Sequence, residues 1–271
     1  MILNAIHIAG ASHREAGKAC QDRSRCFGRC FGGRRAAVVL VSDGHGHPAH
    51  FRSERGAAFA LDAAAEALAG LMESIGDYVG VTLRAGAGES CGDAHVDAVM
   101  RAFFVDIMQR WYAKVLNDYA IDPPREVTLA PPVRAYGCTL VGAVLSRGLR
   151  IAFQLGDGAC AELDALGHPR IPLPDDPRCR GALTTSMCSD GADDFRFVVG
   201  SDVPRLIMVC SDGLVNSFGS ESGLAGELLP ELAADLADKG AEAVACELVR
   251  ILPGISECGS RDDISLAYCT L

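Results

Sequence analysis

The sequence predicts an α+β sandwich, and the order of its strand-like and helical segments is the main evidence. Two strand-like segments come first, two long helical segments follow, and a second block of strands leads to two more helices and a final strand. A doubly wound fold would instead alternate strands and helices along the chain. With 271 residues the chain can bury a sizeable core. We therefore expect one domain over residues 1–271.

The first half of the chain predicts a hairpin followed by two helices. Residues 38–41 are a β-branched run, and residues 25–31 can pair with it across two glycines. Residues 53–74 place Leu and Ala on one stripe, which is typical of a helix. Residues 75–92 are rich in Gly and lack periodicity, so we expect a loop insertion. Residues 93–119 repeat apolar side chains at helical spacing and predict the second helix.

The second half is richer in strands. Residues 136–145, 149–155 and 159–163 are short β-like runs separated by turn signals, and we expect them to form an antiparallel meander. The polar segment 167–194 contains several prolines and predicts a mobile flap. The remaining predicted elements are a strand at 205–210, helices at 230–239 and 241–252, and a last strand at 264–268.

Charge and hydropathy exclude several classes of protein. The 35 acidic residues outnumber the 25 basic ones, which gives a formal net charge of −10. A nucleic-acid binder needs an excess of Lys and Arg to replace phosphate counterions, and this chain has none. No segment is apolar enough to cross a bilayer, and the first residues lack the pattern of a secretory signal.

The 12 cysteines form no CxxC pair. We expect free thiols and a cytoplasmic location.

Aspartates that follow apolar runs are the most informative pattern. Asp43, Asp157 and Asp212 each end such a run and precede a glycine, and Asp262 stands just before the last strand. Carboxylates at several strand ends can converge on Mg²⁺ or Mn²⁺, which prefer hard oxygen ligands. Asp-Gly is also a frequent hairpin signal, so a plain turn is the alternative at each position. Asp190 follows no apolar run, and there we expect a plain turn.

Six short motifs occur in order through nearly the whole chain. They are Gln21-Asp22, Ser42-Asp43-Gly44-His45-Gly46, Tyr136-Gly137-Cys138-Thr139-Leu140, Gly156-Asp157-Gly158, Ser211-Asp212-Gly213 and Asp262-Asp263-Ile264-Ser265. In this order they resemble the metal-dependent serine/threonine protein phosphatases of type 2C, in their bacterial branch. The resemblance implies a four-layer αββα sandwich with two central antiparallel sheets. It also implies hydrolysis of phosphoserine and phosphothreonine in proteins that a Ser/Thr kinase has modified, by direct attack of a metal-bridging water.

The same resemblance implies two ions of Mn²⁺ or Mg²⁺ at one edge of the sheets. Asp43 would bridge both ions. Asp212 and Asp262 would bind the first ion, and the Gly44 carbonyl and the Gln21 position would serve the second. Two such cations lower the pKa of a shared water and offset the charge of phosphoryl transfer.

Two further side chains are expected to assist. By the resemblance, Asp22 would orient the metal-bound water. His45 lies two residues after Asp43 and is expected to protonate the leaving alkoxide of phosphoserine or phosphothreonine, which is a poor leaving group. The alternative for His45 is an exposed loop histidine with no role. His47 and His50 are interpreted as surface residues.

Three positions depart from the family pattern. Gln21 replaces a glutamate and removes a negative charge from the second ion. Asn216 replaces the acid that would complete a third ion with Asp157 and Asp212, which puts that ion in doubt. The phosphate-binding arginine of the family falls on Gly17. Candidates to replace it are Arg14, Lys18 and Arg23.

Two other functions stay open, and the departures at Gln21 and Gly17 favour the first of them. A catalytically weak or inactive member of the family would bind a phosphoprotein without turnover. A hydrolase of small phosphate esters is a third possibility, although the chain lacks the GxxxxGK[ST] loop of nucleoside triphosphatases.

Overall fold

The computed structural model describes residues 1–31, 33–85, 94–124, 130–181 and 183–271, with the side chains of residues 76–85 left out of the description. Along the chain its elements are β1 (Ile2–Ile8), α1 (Ala11–Glu15), β2 (Arg23–Phe31), β3 (Arg34–Ser42), α2 (Ser53–Ala85), α3 (Ala94–Ile121), β4 (Leu140–Ser146), β5 (Leu149–Leu155), β6 (Ala159–Leu163), β7 (Pro169–Arg170), β8 (Arg196–Gly200), β9 (Leu206–Cys210), α4 (Asp212–Ser217), α5 (Glu221–Asp238), α6 (Ala241–Cys258) and β10 (Ile264–Thr270).

The strands form two antiparallel sheets of five strands each. One sheet has the order β1-β10-β9-β6-β7, and the other has the order β2-β3-β4-β5-β8. Helices α2 and α3 pack on the outer face of the second sheet, and α4, α5 and α6 pack on the outer face of the first. The predicted four-layer αββα sandwich is therefore confirmed. Within the described residues, no helix combines the length and apolar character that crossing a bilayer requires.

Strand β3 shows why a strand of this fold is apolar on both faces. Val38 and Leu40 point to the core beneath α2 and α3, whereas Val39 and Val41 point to the core between the two sheets. Successive side chains of a strand alternate between faces, so a strand covered on both sides becomes a continuous apolar run. The predicted hairpin is present as β2 and β3, which pair antiparallel from Arg23 opposite Ser42.

The predicted loop at 75–92 is wrong over residues 75–85, because α2 continues to Ala85. The rest of that prediction, 86–92, lies outside the described residues. Ile75 is buried and extends the apolar face of α2. A glycine inside a helix costs only about 1 kcal/mol relative to alanine, so glycines alone do not end a packed helix.

The predicted meander is also wrong. Strands β4 and β5 are neighbours, but β6 leaves their sheet and pairs with β9. The chain crosses between the sheets at Gly156, whose φ of 111° suits glycine, and at Gly158, where a Cβ would lie 2.4 Å from the Cys210 carbonyl oxygen. The first of the three predicted strands is shorter than expected, because Pro132–Tyr136 forms a 3₁₀ turn before β4.

Other elements differ from the sequence prediction at their ends or were missed. Helix α5 begins at Glu221 rather than near residue 230, because Ser220 caps it by accepting a hydrogen bond from the Gly223 amide. Strands β1 and β8, at the outer positions of their sheets, were not predicted. In the segment 167–194, Met187 is buried and its amide donates to the Cys138 carbonyl. A mobile flap there stays a prediction.

Gly56 sets how closely α2 approaches the turn before β4. A Cβ at this position would lie 1.9 Å from the carbonyl oxygen of Tyr136, and Trp111 donates its indole N–H to the Gly56 carbonyl at 3.0 Å. Gly56→Ala is therefore expected to lower the free energy of unfolding by about 2 kcal/mol, although alanine favours helices. Gly70 is the matched control on the same helix, because a Cβ added there would have no atom within 4 Å.

Gly70→Ala should instead raise the free energy of unfolding by roughly 0.5–1 kcal/mol through helix propensity alone. Urea unfolding of both variants measures the two effects. Equal and positive changes for the two variants would show that the helix does not make this close contact.

Candidate metal centre

Four aspartates line one cleft of about 730 Å³ at an edge of the sandwich. Asp43 directly follows β3 and Asp157 follows β5, while Asp212 comes just after β9 and Asp262 just before β10. Strands β3 and β5 flank β4 and run parallel to each other, so they end at the same edge. Strands β9 and β10 are antiparallel neighbours, so the end of one lies beside the start of the other. The topology therefore brings distant carboxylates together.

The backbone around Asp43 is held from two sides. Its amide donates to the Thr139 hydroxyl at 3.1 Å, and its carbonyl accepts from the Thr139 amide at 2.8 Å. Gly44 forms a β-bridge with Cys138, and a Cβ on Gly44 would lie 2.7 Å from the carbonyl oxygen of Gln21. Asp43 thus leaves β3 in a defined direction, and only glycine fits at the next position.

Burial and nearby negative charges raise the pKa of three acids of the cleft, Asp43, Asp157 and Asp262. Burial, followed by the charges of Asp22 and Asp212, raises the pKa of Asp43 well above its ordinary value. Burial and the charge of Asp212 also raise the pKa of Asp157 to about 6, and the same two causes raise the pKa of Asp262. Carboxylates that raise each other's pKa gain from a cation placed among them.

The donor set fits a hard divalent cation. Mn²⁺ and Mg²⁺ prefer carboxylate and carbonyl oxygens, and this cleft presents several. As the side chains stand, no three His, Cys, Asp or Glu of the described residues surround a common point. The carboxyl of Asp43 instead lies within hydrogen-bonding range of that of Asp212. Two carboxyls this close repel each other when both are charged, and a cation between them would offset that repulsion.

Asp22 lies behind the cleft rather than on its wall. Its side chain is 1% exposed, and its Oδ2 accepts a hydrogen bond of 2.7 Å from the Ser265 hydroxyl. Burial raises the pKa of Asp22 to about 7, against the lowering effect of hydrogen bonds from Ser211 and Ser265. The charges of Asp263 and Asp212 also raise this pKa.

Gln21 is also outside the cleft lining. Its side-chain Nε2 donates to the Ser53 hydroxyl at 2.7 Å, which leaves Oε1 on the side of Gly46. Its backbone amide donates to Oδ2 of Asp263 at 2.6 Å. Asp263 is 3% exposed, and its Oδ1 accepts from the Gly10 amide. Asp263 therefore ties the segment that carries Gln21 to the start of β10.

His45 lines the cleft beside Asp43. Its Nε2 lies 2.7 Å from the Ser186 hydroxyl oxygen, and that hydroxyl also contacts the Cys138 carbonyl. The hydroxyl carries one proton, which the Cys138 carbonyl or Nε2 of His45 can accept, so the tautomer of His45 decides which atom donates in this pair. Burial and the neighbouring His50 lower the pKa of His45 to about 4. The ring is therefore neutral near pH 7 when no anion lies in the cleft.

His47 is exposed, as expected for a surface residue, and His50 is half-buried, and both line the cleft. The ring of His50 lies 5.0 Å from that of His45 and 6.1 Å from that of His47. Asp190 does lie at the end of a turn, as predicted, but its carboxylate also accepts from the Ser186 amide at 2.8 Å. It therefore supports the residue that contacts His45.

A sequence model of protein phosphatase 2C matches residues 9–253 of the chain. The chain belongs to the protein phosphatase 2C family. This confirms both the predicted resemblance and the predicted class, a protein serine/threonine phosphatase. No curated protein matches the chain significantly.

Several solved phosphatases share this phosphatase 2C fold. The serine/threonine phosphatase Stp1 from Staphylococcus aureus is 14% identical, with a TM-score of 0.59 over 100% of this chain and 95% of that one. PppA of the Pseudomonas aeruginosa type VI secretion system is 16% identical, with a TM-score of 0.55 over 99% and 97%. The catalytic domain of PstP, solved with two manganese ions, is 16% identical, with a TM-score of 0.52 over 98% and 96%.

The structure also places the departures from the phosphatase 2C pattern. Asn216 donates its side-chain amide to Asp212 at 3.1 Å, so a neutral group faces Asp212 where an acid was expected. None of the three candidate cations Arg14, Lys18 and Arg23 lines the cleft. Arg134 does line it, although no sequence pattern selected this residue. The only available signal was its position two residues before the Tyr136 motif.

Proposed function

We propose that the chain is a Mn²⁺- or Mg²⁺-dependent phosphatase that acts on phosphoserine and phosphothreonine in proteins. The observation that carries this proposal is the cleft, in which carboxylates from four strand ends lie beside a histidine and an arginine. Membership of the phosphatase 2C family supports the reaction class. The bound manganese in PstP supports the choice of metal.

We assign the metal-binding role to Asp43, Asp212 and Asp262, with the Gly44 carbonyl and Gln21 on the side of the second ion. Two bound cations would supply an acidified water and offset the charge of the transferred phosphoryl group. The contact between the carboxyls of Asp43 and Asp212 supports a shared role in metal binding, and we assign Asp43 to both ions. A third ion would have to use Asp157 and Asp212 without an acid at position 216, so two ions are proposed.

Asp22 is assigned to orient the attacking water from behind the cleft. Its carboxylate has hydrogen bonds from Ser211 and Ser265. A carboxylate has about four acceptor positions, which leaves room for a water as well. Asp22 thus acts without touching the substrate.

His45 is assigned as the proton donor to the leaving alkoxide. A phosphate dianion in the cleft would raise the pKa of His45, because a nearby negative charge favours the imidazolium. The proton would then be available on the wall that also carries Asp43.

A phosphorylated protein is the proposed substrate, made by a Ser/Thr kinase in the cytoplasm. The cleft opens at the surface, and Leu183 on its rim is 71% exposed. An open rim with an apolar side chain suits a polypeptide that carries the phosphate.

Phosphate release from a phosphothreonine peptide tests the proposal. Release should require Mn²⁺ or Mg²⁺ and stop in EDTA. Metal-dependent peptide binding without release would instead favour the phosphoprotein-binding alternative.

Gln21→Glu is expected to strengthen the second ion's site. Position 21 lies beside Gly44 and Gly46, and a carboxylate there would add a charge where the amide offers only a dipole. We expect wild-type activation by Mn²⁺ to be half-maximal at millimolar concentration. The variant should lower that concentration about tenfold, which corresponds to ~1.4 kcal/mol of added attraction. The maximal rate should change little, because Asp43 is unaltered.

A Mn²⁺ titration of the rate measures this shift. Gln109→Glu makes the same chemical change on an exposed position of α3 and is the control. An activation curve of Gln21→Glu that coincides with the control would show that position 21 does not face the metal.

A further inference from the structure

Arg134 is a cation on the wall of an acidic cleft. It lies in the 3₁₀ turn Pro132–Tyr136, and its side chain is exposed. Among the described residues its guanidinium makes no hydrogen bond or ion pair. Some exposed arginines of this chain form ion pairs, as Arg55 does with Asp118 and Arg178 with Asp176. Arg134 has no such pair among the described residues, which leaves its guanidinium available to a ligand in the cleft.

The backbone that carries Arg134 is firmly held. The Arg134 amide donates to the Pro131 carbonyl at 3.0 Å, and the carbonyl of the next residue, Ala135, accepts from the Arg52 amide at 2.8 Å. The Tyr136 side chain at the end of the turn is buried and accepts a hydrogen bond from Arg52. A fixed backbone restricts the positions that the guanidinium can reach.

Two histidines connect the turn to the side of the cleft that carries Asp43 and His45. Nδ1 of His50 donates to the Arg134 carbonyl at 2.6 Å, and the His50 ring lies 5.0 Å from the ring of His45. Burial lowers the pKa of His50, and the charges of His47 and Arg134 add to this lowering. Arg134 therefore belongs to the wall that carries His45 and Asp43.

The charge of the substrate calls for such a group. Two divalent cations would just neutralise the four carboxylates of the cleft, and a phosphate dianion then adds two negative charges. Within the described part of the chain, Arg134 is the only Lys or Arg that lines the cleft. Arginine suits phosphate because its planar fork donates two parallel hydrogen bonds to two oxygens.

We propose that Arg134 binds the phosphate group of the substrate. This inference rests on the proposed function, since it names a substrate contact in the same cleft. The guanidinium binds the transferred group itself rather than an acidic side chain next to it in the peptide.

Binding of inorganic phosphate tests the proposal without turnover. Calorimetry with protein saturated with Mg²⁺ should show that Arg134→Gln weakens phosphate binding by roughly ten- to a hundredfold, the loss expected for a charge-assisted hydrogen bond. The phosphate affinity of Arg134→Lys should lie between those of Arg134→Gln and wild type, because lysine keeps the charge but cannot donate two parallel hydrogen bonds. Arg147→Gln is the control, since Arg147 is exposed in the turn at the opposite end of β4.

Kinetics with two substrates locate the contact. Arg134→Gln should raise KM for p-nitrophenyl phosphate and for a phosphothreonine peptide by similar factors. If KM rises only for a peptide with acidic flanking residues and stays constant for p-nitrophenyl phosphate, the proposal is overturned and Arg134 is a peptide-binding residue.

The outcomes also separate this inference from the proposed function. If the wild-type protein is an active phosphatase and Arg134→Gln binds phosphate as tightly as wild type, the inference is refuted and the proposed function stands. If wild-type protein binds no phosphate and releases none from peptides, both the inference and the proposed function fail.

Discussion

Asp43→Asn is expected to lower metal-dependent phosphatase activity by roughly 10³-fold or more. Asp43 is the acid proposed to serve both ions, and metal stabilisation of a transition state is worth several kcal/mol, each 1.36 kcal/mol being tenfold in rate. The wild-type protein should also show a higher Tm with Mn²⁺ than with EDTA, because a ligand that binds only the folded state stabilises it. The variant should lose most of this increase.

Initial rates at saturating Mn²⁺ and melting curves with Mn²⁺ and with EDTA measure both effects. The metal-free variant should remain folded, since the substitution removes one of several acids that raise each other's pKa. Asp190 is a poor control, because its carboxylate holds the Ser186 amide. Asp238→Asn on the exposed end of α5 makes the same chemical change outside the cleft. Full activity in EDTA, or a silent Asp43→Asn, would contradict a metal centre at these acids.

His45→Ala is expected to slow hydrolysis of a phosphothreonine peptide by roughly 10²-fold while leaving p-nitrophenyl phosphate nearly unaffected. The alkoxide of threonine needs a proton as it leaves, whereas p-nitrophenolate leaves without one. His45 lies on the cleft wall, and its ring is oriented by the Ser186 hydroxyl. The expected signature is therefore a difference between two substrates rather than a general loss.

Ser186→Ala provides a second measurement of the same role. It removes the hydrogen bond to Nε2 of His45 and should give a smaller loss with the same dependence on the leaving group. His168→Ala, at a side chain that is 73% exposed, is the control. Equal losses on both substrates would mean that His45 shapes the site and donates no proton.

Local patterns predicted most of the elements, though not their partners. The strands at 149–155 and 159–163 match β5 and β6 residue for residue. Nevertheless β6 joins the other sheet, because the chain turns through Gly156 and Gly158 rather than through a tight hairpin. The predicted helix ends at residue 74 because glycines follow it, whereas packing in the structure extends α2 to Ala85.

Local patterns also predicted part of the site. Asp43, Asp157, Asp212 and Asp262 could be selected because each lies where an apolar run ends or begins. Arg134 and the cleft-lining role of His50 could not, since both belong to the segments around the 3₁₀ turn before β4 and follow no periodic pattern.

The amino-acid sequence by itself determined the α+β class, most of the helices and strands, and the aspartates at the strand ends. These follow from hydrophobic periodicity and from residue type, which act over a few neighbouring positions. Only the tertiary structure decided that β6 crosses to the other sheet, that Ser186 meets His45 across 141 positions, and that Arg134 rather than Arg14, Lys18 or Arg23 lines the cleft. Those contacts depend on how two sheets and their helices pack together, and packing between distant segments leaves no local pattern in the chain.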